Sequence, residues 1–241
     1  MGISDSRSGI RDKGLLKVEL HAHTDCDPFD YVTHSTRGLI DRANALDYDA
    51  LAVTLHDRYY DPSEDRGYAD GKGVLLIAGV ERTLDSRHVL LVNFPAECAT
   101  VRDFADIREL KARYPHGLVV APHAFYPIGS ALSGEVDQWA DVIDALEVNS
   151  MFTSWLNFNS RAERWARAHG KPLVGNTDLH LLAQMGTTYS LVDAPRSADA
   201  ICDAIRAGRV EVRSTPLSVP RAAAFFLLMM AGGVIGKLRK T

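Results

Sequence analysis

The chain of 241 residues holds only three cysteines, Cys26, Cys98 and Cys202. They are widely spaced, odd in number and form no CxxC pair, which excludes a disulfide framework and points to a reducing, cytoplasmic setting. No block of five like charges occurs and the net charge is −4 at pH 7, so the basic face of a nucleic-acid binder is not expected. No repeat and no Pro/Gly/Ser linker divides the chain, and its first twenty residues lack the apolar core of a secretion signal. One long uncharged run stands out, AAAFFLLMMAGGVIG at 222–236. The remainder, with 46% hydrophobic and 24% charged residues overall, has the composition of a folded globular protein. A chain of this length buries enough surface to need no covalent staples.

Short apolar runs recur at 16–20, 50–55, 74–80, 88–94, 117–121, 142–148, 172–176 and, more weakly, 210–212. Their Val, Leu and Ile content fits strands covered on both faces. Between them lie helical patterns: 35–46 with Leu39, Ile40, Ala43 and Leu46 on one side, 160–169 stopped by Gly170 and Pro172, and 197–207 opened by a capping serine and stopped by Gly208. Segment 58–72 is polar and rich in tyrosine, and reads as a loop in which Tyr59, Tyr60 or Tyr68 is available to a substrate. Alternation of strand and helix predicts an α/β architecture with parallel strands, and about eight strands predict a barrel rather than an open sheet. The organisation expected is an N-terminal arm (1–15), a barrel (16–214) and an apolar helical tail (215–241).

Ionisable residues gather at the predicted strand ends. His21 and His23 follow VEL, His56 and Asp57 follow AVTL, Glu81 follows LIAGV, His123 follows VVAP, Glu147 and Asn149 close DALEVN, and Asp178 and His180 follow VGNT. In an α/β barrel these ends meet on one face, where chemistry is placed. Residues two apart on a strand point the same way, so His21 pairs with His23 and Asp178 with His180. Imidazoles and carboxylates converging on one rim would be poorly solvated without a cation, and both are ordinary ligands of Zn, Mn or Fe.

The motifs LHAHT (20–24), VTLHD (53–57), GVER (79–82) with His88, APHAF (121–125) and TDLH (177–180) resemble, in order, those of the PHP family, the polymerase and histidinol phosphatase domain. The match runs from about Lys17 to Val212. It implies a distorted (β/α)7 TIM-like barrel, two or three divalent metal ions (Zn, Mn or Fe), and hydrolysis of phosphate esters. Carried over residue by residue, it implies metal ligation by His21, His23, His56, Glu81, His88, His123, Asp178 and His180, with Glu81 bridging. A further ligand follows the HxH, and Asp27 or His34 fills it, Asp25 being the poorer choice. The second motif departs from the TDH of many members by carrying Leu55, a change that bears on metal affinity or identity; Asp57 offers a partial substitute.

The mechanism expected is in-line attack on phosphorus by a metal-activated water, with Asp178, Glu81 and His56 as the catalytic set. Arg58, Arg82 and Arg87 adjoin the motifs and are candidates to grip phosphate, since guanidinium suits bidentate contact. The substrate expected is a small phosphorylated metabolite or nucleotide, with nucleic acid disfavoured. The alternative is a metal-binding regulatory module without catalysis, tethered by its tail. For 222–236 three roles compete: a helix packed on the barrel, a membrane-surface anchor aided by the basic residues that follow, and an oligomer contact.

Overall fold

The computed structural model describes residues 14–238, so most of the expected N-terminal arm lies outside the described residues, as do Arg239 and Lys240. The chain runs β1 (Leu16–Glu19), α1 (Thr36–Ala45), β2 (Ala50–Ala52), α2 (Arg66–Gly71), β3 (Leu75–Ile77), β4 (Gly79–Leu84), β5 (Arg87–Val92), α3 (Phe104–Arg113), β6 (Leu118–Ala121), β7 (Ala145–Asn149), α4 (Asn159–His169), β8 (Leu173–Asn176), β9 (Thr188–Val192), α5 (Ala198–Arg206), β10 (Val210–Ser214) and α6 (Val219–Leu238). Ser35, Asp103 and Ser197 each accept a backbone N–H and so open α1, α3 and α5. Gly170 adopts a left-handed conformation and ends α4.

The expectation of a closed or nearly closed barrel is met in part, as a mixed α/β fold in which no closed barrel forms among the described residues. The strands form two five-stranded sheets, in the orders β10-β9-β1-β2-β3 and β4-β5-β6-β7-β8. Nor are they all parallel: β4, β5 and β6 pair antiparallel, and so do β1, β9 and β10. The two seams between the sheets carry isolated bridges instead of ladders. One seam has His56 with Glu81 and Tyr60 with Gly79, the other Ala22 with Leu179. At the second seam Ser190 Oγ accepts from the N–H of Gly175 at 2.9 Å, and a Cβ on Gly175 would fall 2.7 Å from the Tyr189 carbonyl oxygen. Only glycine admits that approach.

Alternation within the strands explains the unbroken apolar runs. Leu90 and Val92 of β5, and Leu118 and Val120 of β6, face a core that both sheets share with Ile201, Cys202 and Ile205 of α5. Their neighbours Val89, Leu91, Val119 and Ala121 face a second core with Phe104 and Ile107 of α3. A third core sets Leu51, Val53 and Leu55 against Leu39 and Ile40 of α1.

Three further expectations differ. The run at 74–80 is two strands, broken at Ala78. Strand β9 is missing from the sequence reading because its buried positions include Thr188 and Ser190, which bond Ser214 and Gly175 rather than supply apolar surface. Segment 58–72 is not an open loop. It folds into a turn at Pro62–Glu64 and helix α2, with Tyr60 buried and bonded to Asp65, and Tyr68 bonded to Asp41.

Candidate metal centre

Nine side chains from seven segments converge on one rim, most of them at the carboxyl ends of strands and His88 at the amino end of the antiparallel β5. His21 and His23 leave β1, His56 stands beyond β2, Glu81 and His88 lie on β4 and β5, His123 follows β6, Asp178 and His180 follow β8, and Asp30 reaches in from the loop after β1. His123 and Asp178 have positive φ, at 31° and 52°. Such backbone is uncommon outside glycine and typically costs about 1–3 kcal/mol, a strain that collects at functional sites.

Glu81 is the hub. Its Oε2 lies 3.2 Å from His21 Nε2, 3.3 Å from His23 Nε2 and 3.2 Å from His56 Nε2. Its Oε1 lies 2.8 Å from His88 Nδ1 and 3.4 Å from His123 Nε2. The two oxygens thus serve two different sets of ring nitrogens. Asp178 Oδ1 stands 3.3 Å from His21 Nε2 and 3.5 Å from both His23 Nε2 and His180 Nδ1. His21, His23 and Glu81 form the floor, at 0–1% side-chain exposure, whereas Asp178 and His88 at 16% and His56 at 12% line the mouth.

The far sides of the floor rings are held in place. Asp27 Oδ2 takes the Nδ1 atoms of His23 and His56 at 2.8 and 3.0 Å, and its Oδ1 accepts the N–H groups of Phe29 and Asp30. Glu147 holds His21 Nδ1 at 2.7 Å and is itself bonded by Asn149, Asn176 and the His123 N–H. Fixing Nδ1 turns the Nε2 side of each ring toward Glu81. Asp27 therefore orients two rings from behind.

Titration reflects this crowding. Burial alone would lower His21 and His23, but the carboxylates around them (Asp178 foremost) hold both well above 6.5. Burial would raise Glu81, Asp27 and Asp178, and the surrounding histidines pull all three below the usual carboxylate range. Glu19, buried under the floor, is pushed up to about 8 by burial, which hydrogen bonds from Thr177 and the His21 N–H only partly offset.

The residues fit a cation cluster. His23 Nε2, Glu81 Oε1 and His88 Nδ1 are buried without a hydrogen-bond partner, although each lies within 3.5 Å of a ring nitrogen or carboxylate oxygen of the cluster; His123 Nδ1 is also unpartnered, on a ring whose Nε2 faces Glu81. Such orphaned atoms are costly unless something between them is bound. Three overlapping triads offer ligand atoms within 4.8 Å of one another: His21–His23–Asp178, His23–His56–His180 and His56–Glu81–His88.

Other candidate residues stand apart. His34 turns its Nε2 to the His23 carbonyl oxygen at 2.9 Å, so it braces the loop from behind and does not join the cluster. Asp25 is exposed. Leu55 sits in the core beside α1, and Asp57 is taken by Arg82 and the Thr83 N–H, so neither enters the cluster. Arg82 also donates to the Val101 carbonyl, and Arg87 is paired with Glu135. Among the described residues, exposed Arg58 donates to the Cys26 carbonyl. Asp30, 3.0 Å from His180 Nε2, is absent from the sequence reading, because nothing in a loop sequence marks it.

Residues 157–210, from before α4 to the start of β10, match the PHP-associated family model. No curated protein sequence matches the chain. Among solved structures, a two-domain protein of Bacteroides vulgatus containing a predicted PHP-like metal-dependent phosphoesterase superposes with a TM-score of 0.63 at 20% identity, covering 84% of this chain and 66% of that one. PsfC from Pseudomonas syringae gives 0.60 at 18% identity, covering 88% and 96%. The lesion-specific endonuclease PfuEndoQ from Pyrococcus furiosus gives 0.59 at 15%, covering 88% and 66%. The chain thus spans just under two thirds of the first and third of these, and identities this low establish a shared fold.

Proposed function

We propose that the chain is a PHP-type metal-dependent phosphoesterase acting on a small phosphorylated substrate, a reading supported by its fold and by the PHP-associated match at 157–210. The observation that carries this reading is the set of buried, unpartnered ligand atoms around Glu81. His21, His23 and Asp178 would hold one cation, His23, His56 and His180 would compete for or share a second, and Glu81 with His88 and His123 would complete the set. Glu81 is the bridging carboxylate on this reading, since its two oxygens face different ring groups.

Bound divalent cations would supply Lewis acidity, neutralising phosphoryl oxygens and lowering the pKa of a water. The chain's own residues do the rest. Asp27 and Glu147 lock three imidazoles in one orientation, so the site is preorganised. Asp178, at the mouth, would accept a proton from the attacking water and orient it. Of the three arginines, Arg58 remains the candidate to meet a phosphate, because Arg82 and Arg87 are already committed to carboxylates. The chain's acidic balance supports a small substrate over nucleic acid, while the endonuclease with the same fold leaves that contrast to experiment.

The test is metal analysis of purified protein combined with a panel of phosphate mono- and diesters in added Mn, Zn or Fe. We expect bound metal and hydrolysis that chelation abolishes. Retained metal with no turnover on any ester would favour the regulatory module, and no bound metal would overturn both readings.

A further inference from the structure

Among the described residues, contacts of helix α6 with the rest of the molecule follow one stripe. Arg221 donates to the Ala183 carbonyl, Phe225 is buried, Met229 Sδ accepts from Gln184, the Gly232 carbonyl accepts from the Tyr31 N–H, and Gly236 lies against the Phe29 carbonyl. These positions recur every three or four residues, so they form a single side of the helix. At Gly236 a Cβ would fall 2.1 Å from the Phe29 oxygen, which only glycine avoids. The contacted loop is the one that supplies Asp27 and Asp30 to the metal centre, and Gln184 belongs to the segment just after His180.

Away from this stripe the helix is apolar in every direction. Phe226, Leu227, Leu228, Met230 and Val234 are each more than half exposed. Residues 226–228 alone are spread over about 200° of circumference at 3.6 residues per turn. A partner helix or groove would cover one stripe, whereas lipid can meet the broad apolar arc that the protein leaves open. Residues 219–236 have a mean hydropathy of 1.7. From 219 to 241 the sequence has no acidic residue but contains Arg221, Lys237, Arg239 and Lys240, in a chain whose net charge is −4. That local cationic excess complements anionic headgroups. Trp155, 92% exposed, stands in the loop after β7 on the same rim, and the neighbouring Phe152 carbonyl accepts the N–H of Leu217, just ahead of α6.

We propose that α6 lies in the plane of an anionic bilayer surface, its glycine side on the 27–31 loop, and that it brings the mouth of the metal centre to the lipid. The uncharged stretch is about 22 Å long as a helix, short of the roughly 30 Å hydrocarbon core, and its inner side is occupied by protein, which argues for lying in the interface over spanning it.

Sedimentation of the full chain with vesicles tests this without any assay of hydrolysis, so its outcome is separate from that of the phosphoesterase reading. With vesicles of phosphatidylcholine containing about 30% phosphatidylserine, the protein should co-sediment, and Leu227→Asp/Leu228→Asp should weaken partition by about ten-fold or more. Both leucines are exposed, and circular dichroism of the double variant checks that the fold is kept. Brominated lipid should quench tryptophan fluorescence in the wild type and much less in Trp155→Phe. Carbonate washing should release the bound protein. The proposal is overturned by absence of sedimentation, by equal partition of the double variant or onto purely neutral vesicles, by retention through the carbonate wash, which would mean spanning, or by a lipid-independent dimer that the double variant dissociates.

Discussion

Asp27 and Glu81 are both buried carboxylates among histidines, yet they face opposite sides of the rings, and that difference sets what each substitution should do. Glu81 offers its oxygens to the Nε2 side of His21, His23 and His56, so Glu81→Gln should remove most bound metal and activity together. Asp27 and Glu147 act only on the Nδ1 side. Asp27→Asn and Glu147→Gln should therefore leave the metal count attainable at saturation but weaken affinity by roughly 10–100-fold, measured by competition with a chromophoric chelator. Complete loss of metal in Asp27→Asn at saturating cation would make Asp27 a direct ligand instead. The sequence pattern brings out the histidines because HxH and DxH follow apolar runs, a signal that alternation along a strand makes readable. It leaves open Asp27 against His34, since both lie in irregular chain where spacing does not determine direction, and it gives no sign of Asp30. Glu147 is visible only as a carboxylate ending a strand, and its role depends on a neighbour 126 residues away.

At the scale of elements, the legible parts were those whose signal is apolar and periodic. Strands β5 and β6 face two cores and so are hydrophobic throughout, and α1 and α5 carry capping serines. Strand β9 and helix α2 were hidden because their residues are polar and gain their burial from contacts distant in sequence. The closed barrel expected from strand counting fails at the seams, where isolated bridges and the Ser190 hydroxyl replace a ladder. Those seams position His56 against Glu81 and Asp178 beside His21, so they matter to the site. A methyl group at Gly175 would press on the backbone of β9, and Gly175→Ala should destabilise the fold by about 1–3 kcal/mol in urea unfolding, as overpacking of a tight contact does. An unchanged midpoint would show that the β8–β9 seam yields easily. Ser190→Ala removes the hydroxyl that bonds both the N–H and the carbonyl of Gly175, leaving a buried N–H unsatisfied, and should cost about 1–3 kcal/mol by the same measurement.

For the whole molecule, the candidate metal centre should link stability to pH in opposite senses with and without cation. In metal-free protein, His21 and His23 bind protons more tightly than in the unfolded chain, so their contribution is fully present below about pH 6.5 and is lost as pH rises through their raised values. Asp27, Glu81 and Asp178 are depressed, so theirs is present above the ordinary carboxylate range near 4 and is lost as pH falls through their lowered values. Metal-free protein should consequently be most stable between these limits and should lose thermal stability toward alkaline pH. Cations need neutral imidazoles and displace those protons, so their affinity should climb as pH rises above 6.5 and binding should release protons into a weakly buffered solution. At a free metal concentration of about 100 times Kd the gain is about 2.7 kcal/mol. Melting curves across pH, with and without Mn or Zn, should therefore diverge on the alkaline side and converge in acid. Parallel curves would mean that cations bind elsewhere than among these imidazoles, because only a site that exchanges protons for metal makes the separation depend on pH.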